Sequence, residues 1–338
     1  MLDDKCLDVT VIVATYNQEL KKTILTLESI VKQKNIALQV IIADDGSKEN
    51  HFLELKKWFQ SKGFKNYILL SSEENQGTVK NFARCTSYIQ SPYVKLISPG
   101  DFFFKEDSLY QWVCCIREAK GGVSFCDTIY YSLVNGRYQT ISARNFPQYS
   151  RLYLSEKNIN RARYTQLIYD DFWLGAAVLL KTELFSKYIN LIVDKVVYAE
   201  DNIYRLMSYN HESITYFQCE AIVYEYSAGV TSLEKANEWR KRLIADWYNA
   251  SLIMIDTFPT DKMITKKLIK YVEWKNKSNI RFSKCDIKKV EMIKDLLKLY
   301  LSVPDAMFWH IKLKFFMSYS LKNIEIEKYL NAYFGDNG

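Results

Sequence analysis

The chain has 338 residues, of which 48% are hydrophobic and 15% aromatic, so it holds apolar material for about two globular domains and argues against disorder. Its 11 Gly and 5 Pro mark no linker, repeat or low-complexity tract. The net charge of +7 is concentrated in residues 235–338, which hold about 20 Lys and Arg against about 12 Asp and Glu.

The first 120 residues alternate between predicted strands and helices. VTVIVA at 9–14 is a β-branched apolar run, typical of a strand buried on both faces of a parallel sheet. Apolar residues then recur at spacings of three and four, which predicts an amphipathic helix over 20–31. Further strands are predicted at 38–46, 67–72 and 93–98, and further helices at 52–59, 78–89 and 108–119. Repeated βαβ units predict an α/β fold with a mostly parallel, doubly wound sheet.

The pattern changes after residue 120. VSFCDTIYYSLV, LGAAVLL and TYFQCEAIVYEYS are strand-like, whereas residues 137–169 lack periodicity and are predicted to be a loop with short helices. Helical periodicity dominates the end of the chain, at 234–256, 260–276, 286–302 and 307–333. The sequence therefore predicts an α/β domain at 1–232 and a basic, all-helical domain at 233–338.

Polar segments follow the first four predicted strands: Thr15-Tyr16-Asn17, Asp44-Asp45-Gly46, Asn75-Gln76-Gly77 and Ser98-Pro99-Gly100-Asp101. In open α/β sheets, ligands bind beyond the carboxyl ends of the strands, so these loops form the expected binding crevice. Taken alone, Asp44-Asp45-Gly46 is an ordinary turn with an Asx hydrogen bond. Its place directly after a buried strand favours a binding role.

These segments, together with Glu200-Asp201, also carry a resemblance to a known family. VTVIVATYNQ, IIADDGS, NQGTVKN, the loop before Asp101 and Glu200-Asp201 resemble family 2 glycosyltransferases of the GT-A fold, bacterial type, over residues 8–232. The resemblance implies inverting transfer of a hexosyl or N-acetylhexosaminyl group from a nucleotide-diphosphate sugar, UDP-linked in the first instance. The acceptor would be a glycan, glycoprotein or lipid-linked hydroxyl in bacterial polysaccharide or glycoconjugate synthesis, and no nucleic acid is expected as partner.

The resemblance also implies roles for individual residues. The donor nucleotide would be bound at the strand ends, by Thr15, Tyr16, Asn17, Asp44, Asp45, Asn75, Gly77, Asn81, Ser98 and Gly100. Tyr16 could stack on the base or form a hydrophobic lid, and Asn75 could equally cap a helix. Asp201 would be the general base, and Glu200 would orient it or contact the acceptor. Capping of the helix that follows is the alternative for this pair.

The metal position departs from the family pattern, because the usual Asp-x-Asp is reduced here to the single carboxylate of Asp101. One carboxylate with diphosphate oxygens and water can still hold Mg²⁺ or Mn²⁺, and Asp101 is the implied ligand. A turn before Phe102 is the alternative. Two more loops are implied to approach the donor or acceptor, through Asp171, Trp173, Gly175, Ala176, Tyr226 and Thr231. Tight sheet packing around Trp173 and a sheet-terminating turn at Tyr226 are the alternatives.

Targeting and membrane signals are not predicted. The apolar run at 9–14 soon meets Asn17, Gln18 and Glu19, unlike a signal peptide, and no run reaches the roughly 18 residues of a spanning helix. The seven cysteines lack metal-ligand spacing and suit a reducing compartment. We expect a cytoplasmic protein. Its basic C-terminal helices could contact the inner face of the plasma membrane, an acidic partner or a second copy, or form a solvated face.

Two other functions stay open at this point. Nucleotidyl transfer uses a similar sheet but typically carries a Gly-rich basic loop after the first strand, and TYNQ is not such a loop. A catalytically impaired sugar- or protein-binding module is favoured by the reduced metal motif, whereas Asp201 speaks against it.

Overall fold

The computed structural model describes residues 7–142, 145–168, 171–226, 236–258, 265–273, 276, 297 and 319–335. The strands are β1 (Val9–Thr15), β2 (Leu38–Asp44), β3 (Tyr67–Ser71), β4 (Tyr93–Ile97), β5 (Phe102–Phe103), β6 (Val123–Val134), β7 (Arg137–Ile141), β8 (Val178–Lys181) and β9 (Ile214–Glu225). The helices are α1 (Leu20–Val31), α2 (Phe52–Ser61), α3 (Thr78–Ala83), α4 (Ser108–Glu118), α5 (Ile159–Ile168), α6 (Thr182–Ile192), α7 (Asn202–Tyr209), α8 (Ala236–Thr257) and α9 (Ile324–Gly335). Residues 265–273 are also helical, and short 3-10 turns lie at Arg84–Tyr88, Ser150–Leu154, Glu156–Asn158 and Gly175–Ala177.

Within the described residues, nine strands form one sheet in the order β3-β2-β1-β4-β8-β6-β9-β5, with β7 beside β6. The first four strands of that order are parallel, β8 is antiparallel to both of its neighbours, and β6 and β9 are parallel to each other. The predicted α/β architecture, with a largely parallel sheet flanked by helices, is confirmed. The reversal at β8 lies where the sheet passes from the first β-α repeats to the second half of the domain.

The apolar runs of the central strands are explained by helices on both faces of the sheet. Along β1, Val11 and Val13 face one hydrophobic cluster with Trp112 of α4, whereas Ile12 faces another with Phe82 of α3. Each strand residue therefore contacts apolar neighbours whichever way it points, and no polar alternation is needed.

The region 137–169 is more regular than the sequence predicts. It contains strand β7 and helix α5 in addition to the predicted short helices. The sequence of helix α5 has no clear apolar periodicity, because its buried side chains include the polar Thr165 and Gln166. The predicted helix at 78–89 is also different, since α3 ends at Ala83 and continues as a 3-10 turn.

The C-terminal helix α9 covers the outer edge of β7. The Asn331 side-chain amide accepts from the Tyr138 N–H (2.9 Å) and donates to its C=O (2.8 Å), as a neighbouring strand would. Glu327 accepts from the N–H of Thr140 at 2.9 Å. These bonds satisfy backbone groups that a free sheet edge would leave open.

The predicted division of the chain is only partly described. The boundary between residues 232 and 233 and the predicted helix at 286–302, apart from residue 297, lie outside the described residues. The helices at 236–257, 265–273 and 324–335 agree with helical character at this end of the chain. Among the described helices, none has the length and apolar content to cross a bilayer.

Candidate active site

The carboxyl ends of β1, β2 and β4 lie side by side. Thr15, the last residue of β1, is the register partner of Asp44, the last residue of β2, and Val13 pairs with Ile97 at the end of β4. The polar loops that follow these strands therefore meet at one edge of the sheet, as the sequence predicts.

Asp44 holds the first two of these loops together. Its Oδ1 accepts from the Thr15 hydroxyl (3.0 Å) and from the Ser47 hydroxyl, and its Oδ2 accepts from the Ser47 N–H (2.9 Å). This is the Asx turn that was the alternative for the motif. Asp44 is fully buried, and its hydrogen bonds fix the conformation of the loop. Its contact with a donor nucleotide stays a prediction.

The loop that follows β1 is open to solvent at Tyr16 and Asn17. Asn17 has a positive φ of 49° and joins the β1 loop to the β2 loop, because its N–H donates to Ser47 and its side-chain oxygen accepts from Lys48. Tyr16 beside it is 46% exposed. An exposed ring on a fixed loop can stack on a nucleotide base, as predicted for Tyr16.

Asp45 ties the second loop to the third. Its two carboxylate oxygens accept from the N–H groups of Gln76 and Gly77, each at 2.9 Å. Gly77 has a φ of 94°, and a Cβ there would collide with the side chain and carbonyl of Val197. Asp45 therefore fixes the entry to α3 at a point where only glycine fits.

Asn75 and Asn81 both act within the protein. Asn75 accepts from the Gly77 N–H at 3.2 Å and so forms a local turn, but the N-cap residue of α3 is Gly77, and Asn75 does not cap the helix. Asn81 is buried, donates to the Ala43 carbonyl at 2.8 Å and accepts from Arg84, which in turn donates to the Asp44 carbonyl. These bonds connect α3 to the end of β2.

An acidic cavity of about 120 Å³ opens beyond the end of β4. Its wall contains the three predicted catalytic and metal-binding carboxylates, Asp101, Glu200 and Asp201. The predicted Ser98, Gly175 and Ala176 also line it, together with Phe82, Leu96, Ile97, Leu174, Tyr204 and Tyr224. Residues about 100 positions apart in the sequence are thus brought together, as the proposed chemistry requires.

Asp101 is buried at the floor of this cavity. Its Oδ1 accepts from the backbone N–H of Glu225 at 2.9 Å. The pKa of Asp101 is raised to about 8, mainly by burial and in part by the Glu225 carboxylate, while the hydrogen bond from the Glu225 N–H and the charges of Lys95 and Lys22 lower it. At Gly100, where φ is 101°, a Cβ would collide with the Glu225 carboxylate, so glycine is needed for the approach of these two segments.

Glu200 and Asp201 stand at the start of α7, where the helix dipole favours negative charge. Asp201 is partly exposed as a residue, but its Oδ1 is buried and finds no hydrogen-bond donor among the described residues. Burial raises the pKa of Asp201 to about 7, with Lys95 lowering it. Burial and the neighbouring Asp201 raise the pKa of Glu200 well above its usual range. Because Asp201 lines the cavity, its carboxylate is able to accept a proton from a group bound there.

The 3-10 turn Gly175–Ala177 approaches Asp201 closely. A Cβ at Gly175 would collide with Oδ1 of Asp201, so the small residue predicted to lie beside a ligand lies beside the Asp201 carboxylate. The Ala176 carbonyl accepts from the Lys95 ammonium at 2.5 Å. The turn therefore links Asp201 to β4.

Lys95 was not among the sequence-predicted site residues. It is fully buried in β4, donates to the carbonyls of Leu96 and Ala176, and lies 5.7 Å from the centre of the Trp112 ring. Burial lowers its pKa to about 8, while Cys126, Asp101 and Asp201 raise it. In the sequence, the only sign of a special role for Lys95 is its charge within the apolar run YVKLIS, because Ala176, to which it donates, is distant in the chain.

The other residues implied to approach the donor or acceptor lie in different environments. The Asp171 carboxylate accepts from the N–H groups of Gln148 and Tyr149 and is buried, and burial raises its pKa to about 7. Trp173 is fully buried and donates to the Tyr153 hydroxyl at 3.0 Å. Its indole packs in the core, so tight packing, the alternative for this residue, describes it, and not the implied approach to the donor or acceptor. Tyr226 is 46% exposed, and Thr231 lies outside the described residues.

One further group of possible metal ligands was not predicted from the sequence. Glu49, His51 and Glu54 can each offer a ligand atom, all within 4.8 Å of one another, in the part of the chain that the structure describes. Both glutamates are exposed, and exposed acidic groups of this kind are common without a metal.

The fold of the chain is similar to solved structures. TarS residues 1–349 of S. aureus in complex with UDP-GlcNAc is 18% identical, with a TM-score of 0.57 and coverage of 89% of this chain and 82% of that one. Its complex with UDP is 17% identical, with a TM-score of 0.56 and the same coverage. The mannosyltransferase PcManGT of Pyrobaculum calidifontis, in complex with GDP-Man and Mn²⁺, is 14% identical, with a TM-score of 0.55 and coverage of 97% and 88%. The predicted GT-A fold is confirmed.

Sequence comparison identifies the family. No curated protein sequence matches the chain. A family model described as glycosyl transferase family 2 matches residues 10–181, slightly more than half of the chain. The match includes the strand-end loops and Asp101, and the chain belongs to glycosyl transferase family 2.

Proposed function

We propose that the chain is an inverting glycosyltransferase that moves a hexosyl or N-acetylhexosaminyl group from a UDP-linked sugar to an acceptor hydroxyl of a glycan, glycoprotein or lipid-linked acceptor. The observation that carries the proposal is the Asp201 carboxylate, which lines one cavity with Asp101 and has no donor to its Oδ1 among the described residues. A carboxylate in this position can take the proton of an acceptor hydroxyl as that hydroxyl attacks the sugar.

The donor side is supported by the loops around Asp44 and Asp45. These carboxylates fix three strand-end loops, leaving Tyr16 exposed beside them. Similar folds have been solved with UDP, UDP-GlcNAc or GDP-Man. The loops of this chain are therefore proposed to bind the nucleotide, with the sugar directed towards Asp201.

The two carboxylates at α7 are suited to different tasks. The pKa of Glu200 is raised well above its usual range, whereas that of Asp201 is raised to about 7 with Lys95 opposing the rise. The negative charge of Asp201 therefore favours the protonated form of Glu200, while the ammonium of Lys95 favours the ionised form of Asp201. Asp201 then accepts the proton of the acceptor hydroxyl, and Glu200 can donate a hydrogen bond to orient the acceptor.

The residues around Asp101 fit a divalent cation. Three carboxylates line one cavity beside the buried ammonium of Lys95, and burial raises the pKa of Asp101 to about 8. Mg²⁺ and Mn²⁺ prefer such oxygen ligands and can be held by one carboxylate with phosphate oxygens and water. Asp101 would hold the cation. When bound, a divalent cation neutralises negative charge on the diphosphate leaving group.

A donor and metal screen tests the proposed function. The full chain is mixed with UDP-, GDP- and dTDP-sugars and a set of simple sugars as acceptors, with water as the acceptor where none is added, and with Mn²⁺, Mg²⁺ or EDTA. Release of nucleoside diphosphate and the melting temperature are measured. A UDP-sugar is expected to be turned over, and EDTA to lower its turnover at least tenfold. Saturating UDP is expected to stabilise the fold by about 2.7 kcal/mol at 100 times Kd.

The screen also separates the alternatives. Stabilisation by a nucleotide sugar without turnover under any metal condition would favour the catalytically impaired binding module. Absence of both binding and turnover with all three nucleotide classes would contradict the proposed function.

Lys95→Met is expected to move the acidic limb of the pH–rate profile to higher pH. The ammonium lowers the pKa of both Asp101 and Asp201, so its removal raises both, and a base that works when deprotonated then needs a higher pH. Methionine also leaves the Ala176 carbonyl without its donor, at a cost of about 1–3 kcal/mol in the free energy of unfolding.

The control for Lys95 is Lys57→Met, because Lys57 is exposed on α2. Profiles of kcat against pH and urea unfolding are recorded for both variants. An acidic limb at the wild-type pH in Lys95→Met would show that its ammonium does not act on Asp201.

The location and contacts of the C-terminal region stay predictions. Cytoplasmic location and contact of the basic helices with a membrane surface, an acidic partner or a second copy are not tested by the fold. Residues 277–296 and 298–318, which carry much of the basic charge, lie outside the described residues.

A further inference from the structure

The carboxylate of Asp246 on α8 binds three consecutive backbone N–H groups. Its Oδ1 accepts from Val197 at 3.0 Å, and its Oδ2 accepts from Tyr198 at 2.7 Å and from Ala199 at 3.1 Å. Asp246 is only 4% exposed. A buried carboxylate that accepts several N–H groups forms charge-assisted bonds, which are stronger than neutral ones.

The segment 197–199 leads directly into Glu200 and Asp201. The Ala199 carbonyl accepts from the N–H of Asn202 at 3.1 Å and from its side chain at 2.9 Å, so the segment is joined to the first turn of α7. The position of residues 197–199 therefore sets where α7 begins and where the Asp201 carboxylate stands.

The same segment also contacts the donor-side loop. The Val197 carbonyl accepts from the Val79 N–H at 3.0 Å, and Gly77 packs too closely against Val197 for any Cβ. Gly77 is in turn held by Asp45. Asp246 thus holds a segment that contacts both the start of α3 and the Glu200-Asp201 pair.

We propose that Asp246 is a positioning residue for the transfer reaction, which holds residues 197–199 so that Asp201 faces the acceptor. The inference rests on the proposed function and gives α8, on the C-terminal side of the predicted domain boundary, a part in the active site. The Asp201 carboxylate already has Gly175 against its Oδ1, so it has little freedom to compensate for a shift of its own backbone. A displacement of about 1 Å in a reacting group can cost about 10²-fold in rate.

The test uses Asp246→Asn in the full chain. An amide keeps the shape but replaces one acceptor oxygen by an NH₂ group that opposes the backbone N–H donors. The donor is the UDP-sugar that wild type uses in the donor screen. With it we expect kcat for UDP release to fall by about 10- to 100-fold, while KM for the donor changes less than threefold. Hydrogen–deuterium exchange of peptides covering 197–203 is expected to become faster.

The matched control is Asn249→Ala, one turn further along α8. Asn249 donates to the Lys195 carbonyl at 2.9 Å, so this variant also removes a bond between α8 and the loop between α6 and α7. The bonds of Asp246 to residues 197–199 stay in place. Its kcat is expected to stay within twofold of wild type. If Asp246→Asn does not fold, Asp246→Glu retains the charge and moves it by one methylene, and the same loss of kcat at unchanged KM is expected.

The outcomes distinguish this inference from the proposed function. A wild-type protein inactive with every donor would contradict the proposed function, while the exchange data would still show whether Asp246 holds residues 197–203. Unchanged exchange in that segment would overturn the inference. Faster exchange with wild-type kcat would overturn it too, as would an equal loss of kcat in Asn249→Ala.

Discussion

Replacing Asp201 by asparagine is expected to lower the transfer rate by about 10²- to 10⁴-fold, the usual contribution of a general base. The amide has the shape of the carboxylate but cannot take a proton from the acceptor hydroxyl. Affinity for UDP is expected to stay within about threefold of wild type, because the nucleotide loops at Asp44 and Asp45 are held by other bonds. Steady-state kinetics and calorimetric titration with UDP measure the two quantities.

The pH dependence adds a second signature for Asp201. Burial raises its pKa to about 7, and a base is active when deprotonated, so the wild-type rate is expected to fall as the pH drops below 7. The residual rate of Asp201→Asn should lack that limb. Asp194→Asn, at an exposed position just before this region, serves as the control and should behave as wild type. A wild-type rate in Asp201→Asn would remove Asp201 from the role of base.

Replacing Asp101 by asparagine is expected to abolish the effect of Mn²⁺. The neutral amide is a weaker ligand for a hard cation, and a divalent ion contributes several kcal/mol to such a reaction, so the rate should fall by about 100-fold or more. The fold should be retained, because the side-chain oxygen of asparagine can still accept from the Glu225 N–H. The measurements are UDP affinity by calorimetry with and without Mn²⁺, and turnover.

The control for this variant is Asp107→Asn, at the partly exposed N-cap of α4. It should keep the full dependence on Mn²⁺. If Mn²⁺ strengthened UDP binding to the same degree in Asp101→Asn and wild type, the cation would have to be held elsewhere.

Some of the fold follows from local patterns and some does not. The strands β1, β2 and β4 are predictable because burial on both faces produces β-branched runs without polar alternation. The reversed direction of β8 depends on its neighbours β4 and β6, which lie more than 40 residues earlier in the chain, and no local pattern encodes that pairing. Strand β7 does have a local signal, because Asn135 and Gly136, both at positive φ, form the two-residue turn that pairs it with β6. Its contact with α9, as in the bond of Tyr138 to Asn331, joins residues 193 positions apart and is not visible in the sequence.

The site shows the same division. The strand-end loops and Glu200-Asp201 stand out by residue type and position, and the structure places Asp101, Glu200 and Asp201 in one cavity. Lys95 and Asp246 act through partners that are 81 and up to 49 residues away, so their meaning appears only in three dimensions. Trp173 shows the opposite error, since an aromatic residue near a site can belong wholly to the core.

Whether transfer occurs in one displacement at the Asp201 cavity is read from the anomeric configuration of the product. The measurement is the ¹H NMR coupling of the anomeric proton in the product that wild-type protein forms from the α-linked UDP-sugar found active in the screen. Attack by a hydroxyl activated by Asp201, opposite the leaving diphosphate, predicts a β-linked product. An α-linked product would contradict this mechanism.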